Sequence, residues 1–321
     1  MGSSSSSALH VAAEAGDAAV VASRLRHGDD VLSQRDDATG ATALHAASES
    51  GRMEVVRLLL DARADTDTLD REGATPLLRA CIQGHTSVAS VLIEAGAAVD
   101  LTDGSGFSPV FVAAEYCWPQ IVELLLASRA MVDLPDATGA SPLYIACQEG
   151  HAPCVSLLLK AGAAVAGATA EGRVALHAAA LAGDEECISL LTGAGADVNV
   201  RDRRGFTPWH LAHQHGSARC VEALEAQGAI RSPLPISERA AAKLRRDDDD
   251  GGRSDRRRHH ASHRRHDDGS ADGDEFDGGE VDGDEADGSA GHNGAGAISE
   301  QWVGRRPSRS RSPSPDGRGG W

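Results

Sequence analysis

Aromatic side chains make up only 3% of this 321-residue chain, as four Phe, two Tyr and four Trp. No stretch approaches the roughly eighteen consecutive apolar residues of a membrane helix. The opening "MGSSSSSALH" lacks the apolar segment of a secretory signal, so a soluble cytoplasmic or nuclear protein with no membrane partner is expected. Also missing are a phosphate-binding glycine loop, an H-E-x-x-H, a G-x-S-x-G elbow and an EF-hand spacing. Neither enzymatic activity, a cofactor nor a metal site is therefore expected.

What the chain does have is a beat. Gly40, Gly73, Gly106, Gly139, Gly172 and Gly205 recur every 33 residues. A second series, Gly51, Gly84, Gly150, Gly183 and Gly216, keeps the same period, with Cys117 in place of the missing member. A third, Gly96, Gly162, Gly195 and Gly228, has Arg63 and Arg129 filling two slots. A fixed period of this length means stacked supersecondary units. The units open with "TALHAA" (42–47), "TPLLRA" (75–80), "SPVFVA" (108–113), "SPLYIA" (141–146), "VALHAA" (174–179) and "TPWHLA" (207–212). Thr or Ser is a good N-cap, and Pro is tolerated at the first helical position, so a helix starts at each. Ala47, Ala80, Ala113, Ala146, Ala179 and Ala212 share one register, as expected where neighbouring helices approach closely. Segments such as "EVVRLLL", "QIVELLL" and "CVSLLLK" then place apolar residues at helical spacing, before exits such as "GAAVD" and "GADVN".

These units resemble the ankyrin repeat, with its T-P-L-H-x-A start, G-H turn and G-A-D-V-N exit. The resemblance covers residues 7–230: six units in register, preceded by a degenerate one in "ALHVAAEAGDAAVVASRL" (8–25), seven in all. It implies an all-α repeat solenoid of helix-turn-helix pairs with β-hairpin fingers. It further implies a non-enzymatic, monomeric adaptor or scaffold that holds a protein partner, not a small-molecule substrate, on the concave face of finger tips and first helices. Residues 1–6 form a Ser-rich N-terminus expected to be disordered, and 231–321 a tail.

Repeat register sorts the side chains that could carry chemistry. Cys154, Cys187 and Cys220 occupy the slot of Val55, Val88 and Ile121, and Cys81 and Cys147 share another, so all five are expected in the core as reduced thiols. Cys117 sits where glycine belongs and is the candidate reactive thiol. His10, His45, His177 and His210 hold the motif slot, and His85 and His151 the turn slot, which makes them structural. Of the aromatics in "GFSPVFVAAEYCWPQ" (106–120), Phe111 is assigned to the inter-repeat core and Trp118 to covering the turn that lacks its glycine. Phe107 and Tyr116 fall on slots that the resemblance assigns to partner binding, with no core to fill. They are expected to form a hot spot, flanked by Trp118, Ile82, Leu181, Phe206 and the basic finger residues Arg203 and Arg204.

From residue 231 there are 16 basic and 19 acidic residues and few large apolar ones, so the tail is expected to be disordered. It carries a basic/His block (253–266), an acidic block (267–287) and an Arg/Ser-Pro block (305–315). The chain's net −17 leaves −14 on residues 1–230, which makes the repeats a poor ligand for nucleic acid and leaves any such binding to the tail. "RSRSPSP" (309–315) resembles an arginine/serine segment, with Ser310, Ser312 and Ser314 as candidate phosphorylation sites. Leu191, Asp197, Val198 and Asn199 match the spacing favoured by asparaginyl hydroxylases, with Asn199 as acceptor, although Asn also belongs to the repeat consensus. Met1, Gly2 and Ser6 fit a lipidation pattern at Gly2, which a serine run also produces by accident. Two alternatives thus stand beside the adaptor: a nuclear RNA- or splicing-associated factor acting through its tail, and a myristoylated membrane-tethered adaptor. Stability of a repeat array is a sum of repeat and nearest-neighbour terms, so truncation at Pro233 should leave the melting temperature within a few degrees. A drop of about ten degrees would require the tail to dock on the repeats.

Overall fold

The computed structural model describes residues 8–26 and 32–231. Gly2, the Ser-rich start, and the tail from residue 232 with its three charge blocks and Ser310, Ser312 and Ser314 lie outside the described residues, as does the whole of the second unit, Lys243–Trp321.

Fourteen helices are present among the described residues, and no strand. They pair as α1 (Ala8–Ala15) with α2 (Ala18–Arg26), α3 (Ala43–Glu49) with α4 (Met53–Asp61), α5 (Pro76–Gln83) with α6 (Thr86–Glu94), and α7 (Pro109–Glu115) with α8 (Pro119–Ala127). Then come α9 (Pro142–Gln148) with α10 (Ala152–Lys160), α11 (Ala175–Ala182) with α12 (Glu185–Gly193), and α13 (Pro208–His215) with α14 (Ala218–Ala226). First helices pack on first helices and second on second, which makes two parallel layers. Between the first helices, Ala47, Ala80, Ala113, Ala146, Ala179 and Ala212 are wholly buried, so a larger side chain at any of them would push two repeats apart.

The helix starts follow the capping chemistry of the sequence. Thr75, Ser108 and Ser141 accept the N–H of Leu78, Phe111 and Tyr144 at 3.1, 3.2 and 3.2 Å, with Pro at the first helical position of each. At His45 and His177, each the third residue of its helix, the ring also reaches the next repeat. Thr42 N–H donates to His45 Nδ1 (3.1 Å), and His45 Nε2 donates to the Ala74 carbonyl at 3.0 Å. His177 does the same between Val174 N–H and the Phe206 carbonyl. Both rings are neutral in this arrangement, one nitrogen accepting and the other donating.

The fingers were expected to be β-hairpins; they are turns without a strand ladder. Asp70 Oδ1 accepts the N–H of Glu72 and Ala74, and Asp103, Asp136 and Asp202 repeat the pattern. These Asp turns take over bonds that a hairpin ladder would supply. One backbone bond then ties each finger to the next: Arg71 N–H to Thr39 O, Gly104 to Glu72, Ala137 to Ser105, Ala170 to Thr138 and Arg203 to Glu171, at 2.8–3.1 Å. A second tie runs from a side-chain acceptor to the following repeat: Asp67 to Ala98 N–H, Asp100 to Met131, Asp133 to Ala164 and Asn199 to Ile230. The fifth finger keeps the backbone tie but departs from the aspartate turn and from the side-chain tie. Ala166 stands in the Asp133 and Asn199 slot and offers no acceptor, and Thr169 replaces the turn aspartate, holding only Arg173 N–H at 3.3 Å.

All three glycine series have positive φ, and so do their substitutes Arg63 (64°), Cys117 (58°) and Arg129 (65°), as the register implied. The five Cys assigned to the core are buried, and burial raises the thiol pKa of Cys81.

Burial holds the His45 and His177 pKa below the usual 6.5. The unfolded chain therefore takes up these protons first, and the contribution of the neutral rings, full above about pH 6.5, is lost as pH falls. His45→Leu, which copies Leu78 in the next repeat, should cost about 1–3 kcal/mol at pH 7.5 by orphaning the Thr42 N–H and removing one of the two bonds to the Ala74 carbonyl, which keeps the Asp70 N–H. That cost should shrink at pH 5.5; thermal melts of variant and parent at the two values decide it.

Candidate partner-binding face

The fingers and the exposed sides of the first helices share one face, shown by contacts between the two. From α5, Arg79 Nε donates to Asp70 Oδ2 of its own finger at 2.8 Å and Arg79 Nη2 to Glu72 Oε2 at 2.7 Å. The Asp70 side chain is only 1% exposed, so the guanidinium compensates a carboxylate that water barely reaches. A second arginine serves Asp202: Arg173, from the fifth finger, lies 3.5 Å from Asp202 Oδ2 and 3.4 Å from Glu171.

The two middle fingers have no such partner. Opposite Asp103 the slot of Arg79 holds Val112 and the slot of Arg173 holds Ala74; opposite Asp136 the same slots hold Ile145 and Phe107. No described cation forms an ion pair with Asp103, Asp136 or Glu115, the last residue of α7. Burial pushes the Glu115 carboxyl up from 4.5 to about 7, and the nearby charges of Glu149, Asp136 and Asp103 add to the effect. Burial also raises Asp103, against the opposing pull of the Phe107 and Ser105 N–H groups. A cluster of carboxyls without a described ion-pair partner thus lies across repeats three to five, where the sequence drew attention to Phe107, Tyr116, Trp118 and Ile82. Its legible signal was the loss of Arg79's charge at Val112 and Ile145.

The expected site residues fare unequally. Tyr116 caps the C-terminus of α7 next to Glu115 and is partly buried, Ile82 is partly buried on α5, and Leu181 is exposed on α11. Arg203 and Arg204 are exposed at the last finger. Phe107 is not without a core to fill: its ring stacks on Phe111 with centroids 4.9 Å apart, and only part of it reaches the surface. Phe206 requires a correction. It is 2% exposed, edge-on to His210 at 6.0 Å, and covered by the Arg204 guanidinium 5.4 Å from the ring centroid, so it presents nothing to a partner. Trp118 covers a different turn from the one expected, because its indole lies over Gly84 of the preceding repeat, where an added Cβ would meet the ring at 2.6 Å. Asn199 is held by both ends of its amide, Nδ2 donating to Gly228 O (3.2 Å) and Oδ1 accepting from Ile230 N–H (2.8 Å).

The comparisons with known proteins agree with this geometry. A family model described as "Ankyrin repeats (3 copies)" matches residues 9–103, 95–168 and 164–230. The chain belongs to the ankyrin-repeat family. Among solved structures, the crystal structure of the human ASB11 ankyrin repeat domain is similar at 30% identity and a TM-score of 0.63, over 71% of this chain and 100% of that one. No curated protein matches the chain. Ankyrin repeats are generally protein-protein interaction modules and typically non-enzymatic. No helix among the described residues is long and apolar enough to cross a membrane.

The raised Glu115 pKa fixes a sign. The unfolded carboxyl ionises near 4.5 and the folded one near 7, so this group's contribution to stability is greatest below pH 4.5 and declines up to about pH 7. Glu115→Gln should therefore gain stability on the parent steadily across that range. An NMR titration of the Glu115 carboxyl should give a midpoint near 7, and a midpoint near 4.5 would contradict the placement.

Proposed function

We propose that this ankyrin-repeat chain is a non-catalytic adaptor that grips a protein partner on the face of repeats three to five, and that the partner presents a basic side chain there. The observation that carries this reading is the unpaired set of Asp103, Glu115 and Asp136, lying between fingers whose equivalent carboxylates are matched by Arg79 and Arg173. Arg79 supplies the pattern of recognition: one planar guanidinium bridging a finger aspartate and a neighbouring glutamate. A partner arginine entering beside Val112 or Ile145 would meet the same kind of acceptors, with aliphatic surface under its stem.

Tyr116 and the exposed part of Phe107 give the apolar component of the contact, with Ile82 and Leu181 extending it along the first helices. Aromatic anchors beside desolvated charge are the usual composition of an interface hot spot. Arg203 and Arg204 place opposite charge at the last finger, which would orient a partner whose own charge changes sign along its length. Trp118 is occupied in packing and Phe206 is buried, so neither belongs to the contact.

Affinity capture with residues 1–230, followed by binding measurements on the captured partner, tests the reading. Tyr116→Ala and Glu115→Gln should each weaken binding by about 1–3 kcal/mol, roughly 5- to 150-fold, in protein that melts normally. Because a cation is attracted to the ionised carboxyl, affinity should rise between pH 6 and 8. Binding that survives both substitutions unchanged, with no response to pH, would move the interface elsewhere.

A further inference from the structure

A second site lies directly after Tyr116, in the turn between α7 and α8. At the equivalent positions of other repeats the residue is Gly51, Gly84 or Gly150, and an added Cβ would meet the residue that starts the second helix of the next repeat: His85 at 2.7 Å, Trp118 at 2.6 Å and Asp184 at 3.0 Å. A side chain in this slot is thus aimed at the first turn of the neighbouring second helix. Residue 117 is the one place where the slot carries a reactive side chain, a cysteine at φ 58° that is partly exposed. The facing helix is α10, and its N-cap His151 fixes the approach by donating from Nε2 to the Glu115 carbonyl at 2.9 Å. One turn on from His151, in the first turn of α10, is Cys154, fully buried and near enough to Cys117 for the one sulfur to act on the ionisation of the other.

We propose that Cys117 and Cys154 are a peroxide-responsive thiol pair, Cys117 being the sulfur that is attacked first and Cys154 the one that closes an inter-repeat disulfide. The roles follow from access. Cys117 is reachable from solvent, whereas Cys154 is fully buried, and burial, with a further contribution from the Cys117 sulfur, pushes its thiol up to about 12. In the first step the Cys117 thiolate attacks a hydroperoxide, the O–O bond breaks, and Cys117 becomes a sulfenic acid while the peroxide leaves as an alcohol or water. In the second the Cys154 sulfur attacks that of Cys117, the S–O bond breaks, and the hydroxyl departs as water with the Cys154 proton. Two thiols and one hydroperoxide give one disulfide, one alcohol or water from the peroxide, and one water. The product staples the turn behind Tyr116 to the fifth repeat.

The chain holds its own comparison. Cys147 and Cys187 also pair across a repeat boundary, but both are fully buried, so a peroxide has no access to either. The full-length protein, treated with stoichiometric hydrogen peroxide, quenched with an alkylating agent and digested without reductant, should yield a Cys117–Cys154 linked peptide within one chain and leave Cys147 and Cys187 alkylated. In Cys154→Ala, a 1,3-dione should trap the Cys117 sulfenic acid. Cys117→Gly restores the residue of the other repeats, so it should fold, melt higher than the reduced parent and form no link. Oxidation that gives only dimers through Cys117, a sulfinic Cys117 beside a free Cys154, or a link confined to Cys147 and Cys187 would overturn the proposal.

Discussion

Every repeat of this chain leaves backbone groups that only its neighbour can satisfy. The Thr39 carbonyl is met by Arg71 of the next finger, the Glu72 carbonyl by Gly104 of the one after, and Ala98 N–H by Asp67 across that second junction. Buried backbone groups without partners cost about 1–3 kcal/mol each, so a single unit of two short helices has little stability alone. The alanine row then makes the approach close enough for those bonds to form. Register, and with it the placement of every side chain on the inner face, follows from satisfying these groups in turn.

The fold was legible because its signals are local and periodic. Caps, first-position prolines, the alanine row and positive-φ slots each recur often enough that exceptions such as Cys117, Arg63 and Arg129 can be recognised by position alone. The site was only partly legible, because equal slots need not have equal environments. Phe107 and Phe206 stand in the same register, yet Phe206 is closed over by Arg204 and His210 and Phe107 leans on Phe111 with one side in the open. Trp118 likewise takes the slot of His85 and repeats its direction, backwards onto the preceding repeat's glycine, a geometry that spacing does not encode. Glu115 escaped notice because a glutamate at a helix end reads as solvated surface until its neighbours are known.

The charge pattern of the inner face sets binding against stability. Arg79 and Arg173 neutralise their carboxylates within the protein and steady the fingers they touch. Asp103, Glu115 and Asp136 share a partly desolvated region without an ion-paired cation, Arg79 acting on Asp103 only from a distance, so the free fold bears repulsion that a basic partner would relieve. Functional surfaces commonly carry such local cost. The buried histidines respond to acid in the opposite sense, weakening the stack as Glu115 is being neutralised.

The fifth finger has a mechanical consequence. In a one-dimensional array the cooperativity of unfolding depends on each interface term, and one weak coupling divides the array into blocks. Ala166 removes the side-chain tie that Asp67, Asp100, Asp133 and Asn199 make elsewhere, and the Thr169 side chain adds a single long bond to the backbone bonds of its turn where the aspartates add two. Load applied along the stack would concentrate at this fracture plane, so that the last two repeats peel away together as one cassette while the unit bearing Glu115 and Tyr116 stays assembled.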